Sequence, residues 1–279
     1  MACIPSPMHV RPRFGLVAIG IASVLSVLPA IAKPPEPSPI AVTAVFPSGE
    51  QVPANLLRLS LRFDRMPDVP VLPRLAWVID TDTGRQFVER PFLESALWTP
   101  DGKQLTILLH PGRVKSGLLA HDQNPPLLPV GKRVSLTLDD RTLRSWTVVD
   151  PQQSALDVAQ WRMGDVRPAS RDPLKILLGV PIDVQSMAQI AVLDASGRVL
   201  SGSVSLSEAE SVWLFRPTAV WRPGKYQIWI HPHLEDVAGN RIGNSFEQTH
   251  IPKSEVFKRC FEIPMRSAYM QDPAMGYCR

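Results

Sequence analysis

Apolar and polar residues alternate without a break from Leu57 to Asp64, which places Leu57, Leu59, Leu61 and Phe63 on one face of an extended strand. The same period of two recurs in Leu105, Ile107 and Leu109, in Val134, Leu136 and Leu138, and in Tyr226, Ile228 and Ile230. Helical periodicity is weak throughout, and the stretch from Ser154 to Met163 fits a helix best. Val78-Ile79-Asp80-Thr81-Asp82-Thr83-Gly84-Arg85 reads as a strand that enters an Asp/Gly turn and leaves it again. Val192-Leu193-Asp194-Ala195-Ser196-Gly197-Arg198 repeats that pattern.

The repetition extends further. Trp98-Thr99-Pro100 answers Phe215-Arg216-Pro217, and Pro129-Val130-Gly131-Lys132 answers Arg222-Pro223-Gly224-Lys225. The interval between these two marks is longer in the first half, which predicts an insertion over about residues 111–128. Short alternating strands separated by Gly, Pro and Asp turns predict an all-β chain of two tandem immunoglobulin-like β-sandwich domains. The first domain spans 42–150 and the second 171–252. A linker with room for a short helix covers 151–170, and a C-terminal tail covers 253–279.

Composition sharpens this picture. Proline supplies 29 of 279 residues, about twice average usage, and that density excludes a long-helix protein. Pro34, Pro35, Pro37 and Pro39 make residues 33–41 a stiff, extended leader. Ahead of it, Arg11 and Arg13 precede an uncharged run from Phe14 to Leu28 and the triplet Ala30-Ile31-Ala32. A basic start, an apolar run and a small-residue site are the marks of a secretory signal peptide over residues 1–32, cut before Lys33. A retained membrane anchor is the alternative, but the run is shorter than a bilayer core requires, and no later segment is fit to cross a membrane. Initiation at Met8 would shorten the signal and leave the mature chain unchanged. The expected location is outside the cytoplasm, periplasmic or extracellular.

Removing the signal leaves 28 basic against 26 acidic residues, scattered along the chain. That balance forms no basic stripe, so nucleic acid is not an expected partner. Cys260 and Cys278 remain as an even pair in an exported chain, most simply a disulfide.

The segment Trp221-Arg222-Pro223-Gly224-Lys225-Tyr226, followed by Asp236-Val237-Ala238-Gly239-Asn240 and preceded by Phe215-Arg216-Pro217, carries a family signature. It resembles the bacterial Ig-like domain of the S-layer-protein type, which shows a P-G-x-Y approach to a strand and a D-x-A-G-N turn. The likeness covers about Asp172 to Phe246. In the first half it rests on Val45-Phe46-Pro47-Ser48-Gly49, Val52-Pro53 and Leu61-Arg62-Phe63-Asp64-Arg65-Met66-Pro67, while Asp139-Asp140-Arg141-Thr142 stands where the turn would be. The resemblance implies an Ig-like fold outside the cytoplasm and implies no catalytic residue. Asp236, Gly239 and Asn240 are structural turn residues on this reading, with Asp and Asn bonding the local backbone and Gly accepting a left-handed conformation.

Candidate chemistry is sparse. His231 and His233 sit two apart on an extended segment, so both imidazoles face one side, with Glu235 or Asp236 close in sequence. The phase of Tyr226, Ile228 and Ile230 turns them outward together with Trp229, and a solvated strand end explains them without a metal. No nucleophile elbow, zinc-protease helix or phosphate loop occurs, and Asp80/Asp82 and Asp139/Asp140 fall at turns. No catalytic residue, cofactor or metal is therefore assigned. Candidate binding residues are Arg113, Lys115 and His121 in the insertion, because long loops on rigid sandwiches carry binding groups, together with Trp229, His231 and His233. The expected function is a non-enzymatic scaffold or binding protein of the bacterial cell envelope, with an envelope protein or a polysaccharide as partner. The alternative is a secreted hydrolase with a site between the domains.

Overall fold

The computed structural model describes residues 41–115, 124–246 and 256–265, and the backbone of 276–277. The expected signal peptide, most of the expected proline leader, His121 and Cys278 lie outside the described residues. The strands form two sandwiches of two sheets each. In the first, β1 (Val42–Phe46), β3 (Arg58–Phe63), β7 (Gln104–Leu109) and β6 (Phe92–Trp98) make an antiparallel sheet in that order. Against it lies a sheet ordered β2 (Gln51–Pro53), β9 (Arg141–Val149), β8 (Arg133–Leu138), β4 (Leu75–Thr81) and β5 (Gly84–Val88). Its strands pair antiparallel except β2, which runs parallel to β9.

The second sandwich repeats the wiring. β10 (Arg162–Met163), β11 (Leu174–Leu177), β14 (Val212–Pro217) and β13 (Gly202–Ser207) form one sheet. β12 (Ile190–Asp194), β15 (Gly224–Ile230), β16 (Phe257–Ile263) and β17 (Gly276–Tyr277) form the other. This pairing of strands across two sheets is the immunoglobulin arrangement. The chain is all-β, and helical structure among the described residues is confined to short 3-10 turns.

The alternating residues explain why the sheets stack. Leu57, Leu59, Leu61, Phe63, Leu105, Ile107, Leu109, Val134, Leu136 and Leu138 all enter the first core. Trp77 and Trp146 fill its centre, with rings stacked 5.9 Å apart, and each indole N–H reaches a carbonyl, Leu127 and Pro47 respectively. The second core gathers Trp161, Trp213, Phe215, Trp221, Tyr226, Ile228 and Ile230. Tyr226 gives the P-G-x-Y segment its physical meaning. Its hydroxyl donates to the carbonyl of Arg222 and accepts the Arg222 N–H, tying the start of β15 to the loop before it.

The chain between Ser154 and Met163 is not the expected helix. Asp157 caps a single 3-10 turn, Val158–Gln160, by accepting the Ala159 N–H. Trp161 then drops into the second core and β10 pairs with β11. Burial of one large indole outweighs the weak helical preference of a short segment. The second sandwich accordingly takes its first strand from upstream of residue 171. Residues 110–132 join β7 to β8, whereas 218–223 make the matching link between β14 and β15.

Trp77→Ala is expected to destabilise the chain by about 3–5 kcal/mol, because it opens a cavity and strands the Leu127 carbonyl. Guanidinium unfolding followed by far-ultraviolet circular dichroism measures this.

Candidate functional site

Two regions gather polar side chains, the link between β7 and β8 and the junction between the sandwiches. In the first, Pro111–Arg113 forms a 3-10 turn directly after β7. Arg113 folds back on its own loop, donating from Nε to the Pro125 carbonyl at 3.1 Å and from Nη1 to the Glu89 carbonyl at 2.8 Å. Burial lowers the proton affinity of its guanidinium. Arg113 therefore fastens the loop to the strand connection after β5.

Between that loop and β5 runs an open groove of about 840 Å³. Its apolar lining comes from Ile79, Phe87, Val88 and Pro125, and its rim carries Asp80, Glu89, Arg90 and Lys132. Phe87 is 58% exposed. β5 is the last strand of its sheet, so one side of its backbone has no strand partner among the described residues. Lys132 binds Asp82 at 2.6 Å, which lowers the proton affinity of that carboxylate.

Lys115, the other basic residue of the insertion, is not a surface charge. It is 1% exposed, its ammonium donates to the Ala238 carbonyl at 2.5 Å, and it lies 4.2 Å over the Phe246 ring. Ala238 belongs to the turn Asp236–Asn240 of the second sandwich, so Lys115 is a bolt between the two. A basic residue in a loop was expected to serve a ligand; the structure gives it to the other lobe.

The turn is built for docking. Asp236 accepts the N–H groups of Ala238 and Asn240 and the side-chain amide of Asn240. Gly239, at φ +82°, adopts the left-handed backbone that closes the turn, and Leu57 approaches it from the first sandwich. Val237 packs into the first core, and its carbonyl accepts the Leu57 N–H. Burial pushes the Asp236 carboxyl up to about 6 against the pull of its hydrogen bonds and of Lys115.

Around it, the second sandwich covers the polar row of β3 and β7. Arg58 bonds Glu235 and lies 3.3 Å from Asp183, and Arg241 closes on Glu235 at 2.6 Å. Gln185 donates to Thr106 at 2.7 Å. Glu210 accepts the Ser48 N–H at 2.8 Å and its hydroxyl at 2.5 Å. Glu210 is delivered by three successive left-handed residues, Glu208, Ala209 and Glu210, none of them glycine. Burial pushes Asp183 upward, opposed chiefly by Arg58. The cavity left among Arg58, Ser60, Asp183 and Glu210 measures about 10 Å³, room for a single water. Ionisable groups converge here, but no substrate fits between them.

His231 and His233 are exposed neighbours with ring centroids 4.8 Å apart. The His233 N–H donates to His231 Nδ1, so that nitrogen is occupied. Glu235 is taken by arginines and Asp236 is buried in its turn, so neither completes a metal set with them. Among the described residues no three His, Cys, Asp or Glu side chains are arranged to hold an ion. Trp229 bonds Gln227 and lies under the Lys258 ammonium at 4.8 Å.

Sequence reasoning missed Arg58, Asp183, Gln185, Glu210 and Arg241. The legible trace was Arg58-x-Ser60-x-Arg62, the polar half of an alternating strand, which reads as solvent-facing until something covers it.

No known protein-family model matches the chain, and no curated protein matches it. Among solved structures it is similar to the tandem Ig repeats of Dlar, at 11% identity over 69% of this chain and 88% of the other, with a TM-score of 0.22. The N-terminal Ig1-2 module of the Drosophila receptor protein tyrosine phosphatase DLAR matches at 11% identity, covering 69% and 89%, also with a TM-score of 0.22. A mouse coronavirus receptor-binding domain complexed with its murine receptor matches at 14%, covering 68% and 91%, with a TM-score of 0.17. At those scores the likenesses carry no argument; the sheet topology itself establishes the fold.

Arg58→Ala removes the guanidinium beside Asp183 and leaves Glu235 to Arg241 alone, and is expected to destabilise the chain by about 2–3 kcal/mol. Urea unfolding at neutral pH checks it. A loss under 0.5 kcal/mol would mean that the junction does not depend on this guanidinium.

Proposed function

We propose that this chain is an exported, non-enzymatic scaffold or binding protein of the bacterial cell envelope, built on Ig-like modules of the S-layer-protein kind. It holds an extended polypeptide partner in the groove beside β5. The observation that carries the reading is the contrast between two sites. The junction gathers carboxylates and cations but is closed, with about 10 Å³ of space, while the groove is open and apolar-floored. The outer edge of a last strand offers backbone donors and acceptors in a row, and apolar pockets beside it take alternate side chains. Signs of both charges on the rim suit register and specificity more than bulk attraction.

Export rests on the basic-apolar-small pattern of residues 1–32. A disulfide between Cys260 and Cys278 is supported by the pairing of β16 with β17, which sets Gly276 opposite Cys260 and brings the chain back two residues before Cys278. In a processed, exported chain both thiols resist alkylation until a reductant is added.

The test immobilises residues 33–279 and probes separate protein and polysaccharide fractions of the envelope. Phe87→Ser is expected to lower capture of a protein partner about tenfold, while Leu177→Ser, at an exposed position on the other sandwich, leaves it unchanged. Capture by the polysaccharide fraction alone, or equal capture by both variants, overturns the groove assignment. Ester or glycoside hydrolysis abolished by Glu235→Gln would establish the hydrolase reading instead.

A further inference from the structure

We infer that closure of the two sandwiches on one another is coupled to uptake of a proton, so that the junction is tighter in mild acid than at neutral pH. The inference stands apart from the groove and rests on the composition of the interface. Its four carboxylates among the described residues, Asp183, Glu210, Glu235 and Asp236, all belong to the second sandwich. Three cations answer them, Arg58 and Lys115 from the first sandwich and Arg241 from the second. Arg144 is a fourth cation, its guanidinium bonding the Ser48 and Gly49 carbonyls beside Glu210. Charges balance in number, but a buried carboxylate that no cation bonds directly is still relieved most cheaply by a proton.

Geometry points to where that proton sits. Asp183 and Glu235 meet guanidinium groups directly. Asp236 accepts only neutral donors, and the ammonium facing it, Lys115, bonds the Ala238 carbonyl. Asp236 is also the carboxylate tied most closely to docking. Val237 beside it enters the first core, and the Leu57 N–H crosses the junction to the Val237 carbonyl. Opening the lobes returns this carboxyl to water.

The direction follows from linkage. A carboxyl that binds its proton more tightly in the closed state favours closure fully below its ordinary value of 3.8 and loses that effect as pH rises through about 6. Between pH 5.5 and 7.5 those two values change the ratio of closed to open chains about fourfold. Among the described residues, His110, His231 and His233 make no hydrogen bond across the junction.

The probe is the amide of Leu57, whose hydrogen bond spans the two sandwiches. Its exchange protection, corrected for the intrinsic chemical rate, is expected to be about fourfold higher at pH 5.5 than at 7.5 in residues 33–279, and equal at both in Asp236→Asn. Equal protection at the two pH values in the natural chain, or the same ratio in the variant, overturns the inference. Carbon-13 titration of the Asp236 carboxyl in the unmutated protein gives an independent reading should the variant not fold. A midpoint near 6 supports the proton, and one near 3.8 removes it.

Discussion

A β-sheet has two faces, and covering the polar one obliges every donor and acceptor on it to find a partner away from water. The first sandwich meets that demand on its β3 and β7 strands. Arg58, Ser60 and Thr106 would face solvent in an isolated domain; here Arg58 meets Asp183 and Glu235, Thr106 meets Gln185 of the second sandwich, and Ser60 pairs with Thr106 beneath them. The pairing is polar because the rows it covers were polar to begin with. Val237 adds an apolar contact, and the relative placement of the lobes depends on these charges being answered in register.

This arrangement divides the labour of the two loop systems. The turn that closes the second sandwich between Asp236 and Asn240 faces inward and is spent on docking. The long link of the first sandwich is partly spent the same way, through Lys115, while its later residues Pro125, Pro126 and Pro129 border the open groove. One insertion thus contributes to both a closed contact and an open one.

The inward faces were legible because alternation is a direct image of burial. Leu59, Ile107, Leu136 and Ile228 could hardly be anywhere but in a core, and the internal repeat followed from turns with glycine and aspartate at fixed places. The site was less legible. Lys115 carries the same letter on a surface or in a junction, and only the position of Ala238, more than a hundred residues away, decides between them. Glu208 to Glu210 contains none of the residues that announce a left-handed turn, so nothing local marks Glu210 as buried. Trp161 was placed on a helix by its neighbours and in the second core by its size.

The parallel contact of β2 with β9 gives the molecule a mechanical asymmetry. The chain enters the first sandwich through β1 and β2 and leaves it through β9, and three residue pairs from Gln51↔Thr147 to Pro53↔Val149 lie side by side. Tension applied through the two ends would load those bonds together, in shear, rather than peel them one by one. In the second sandwich, among the described residues, β10 pairs only with β11 and no such clasp joins its first strand to β16.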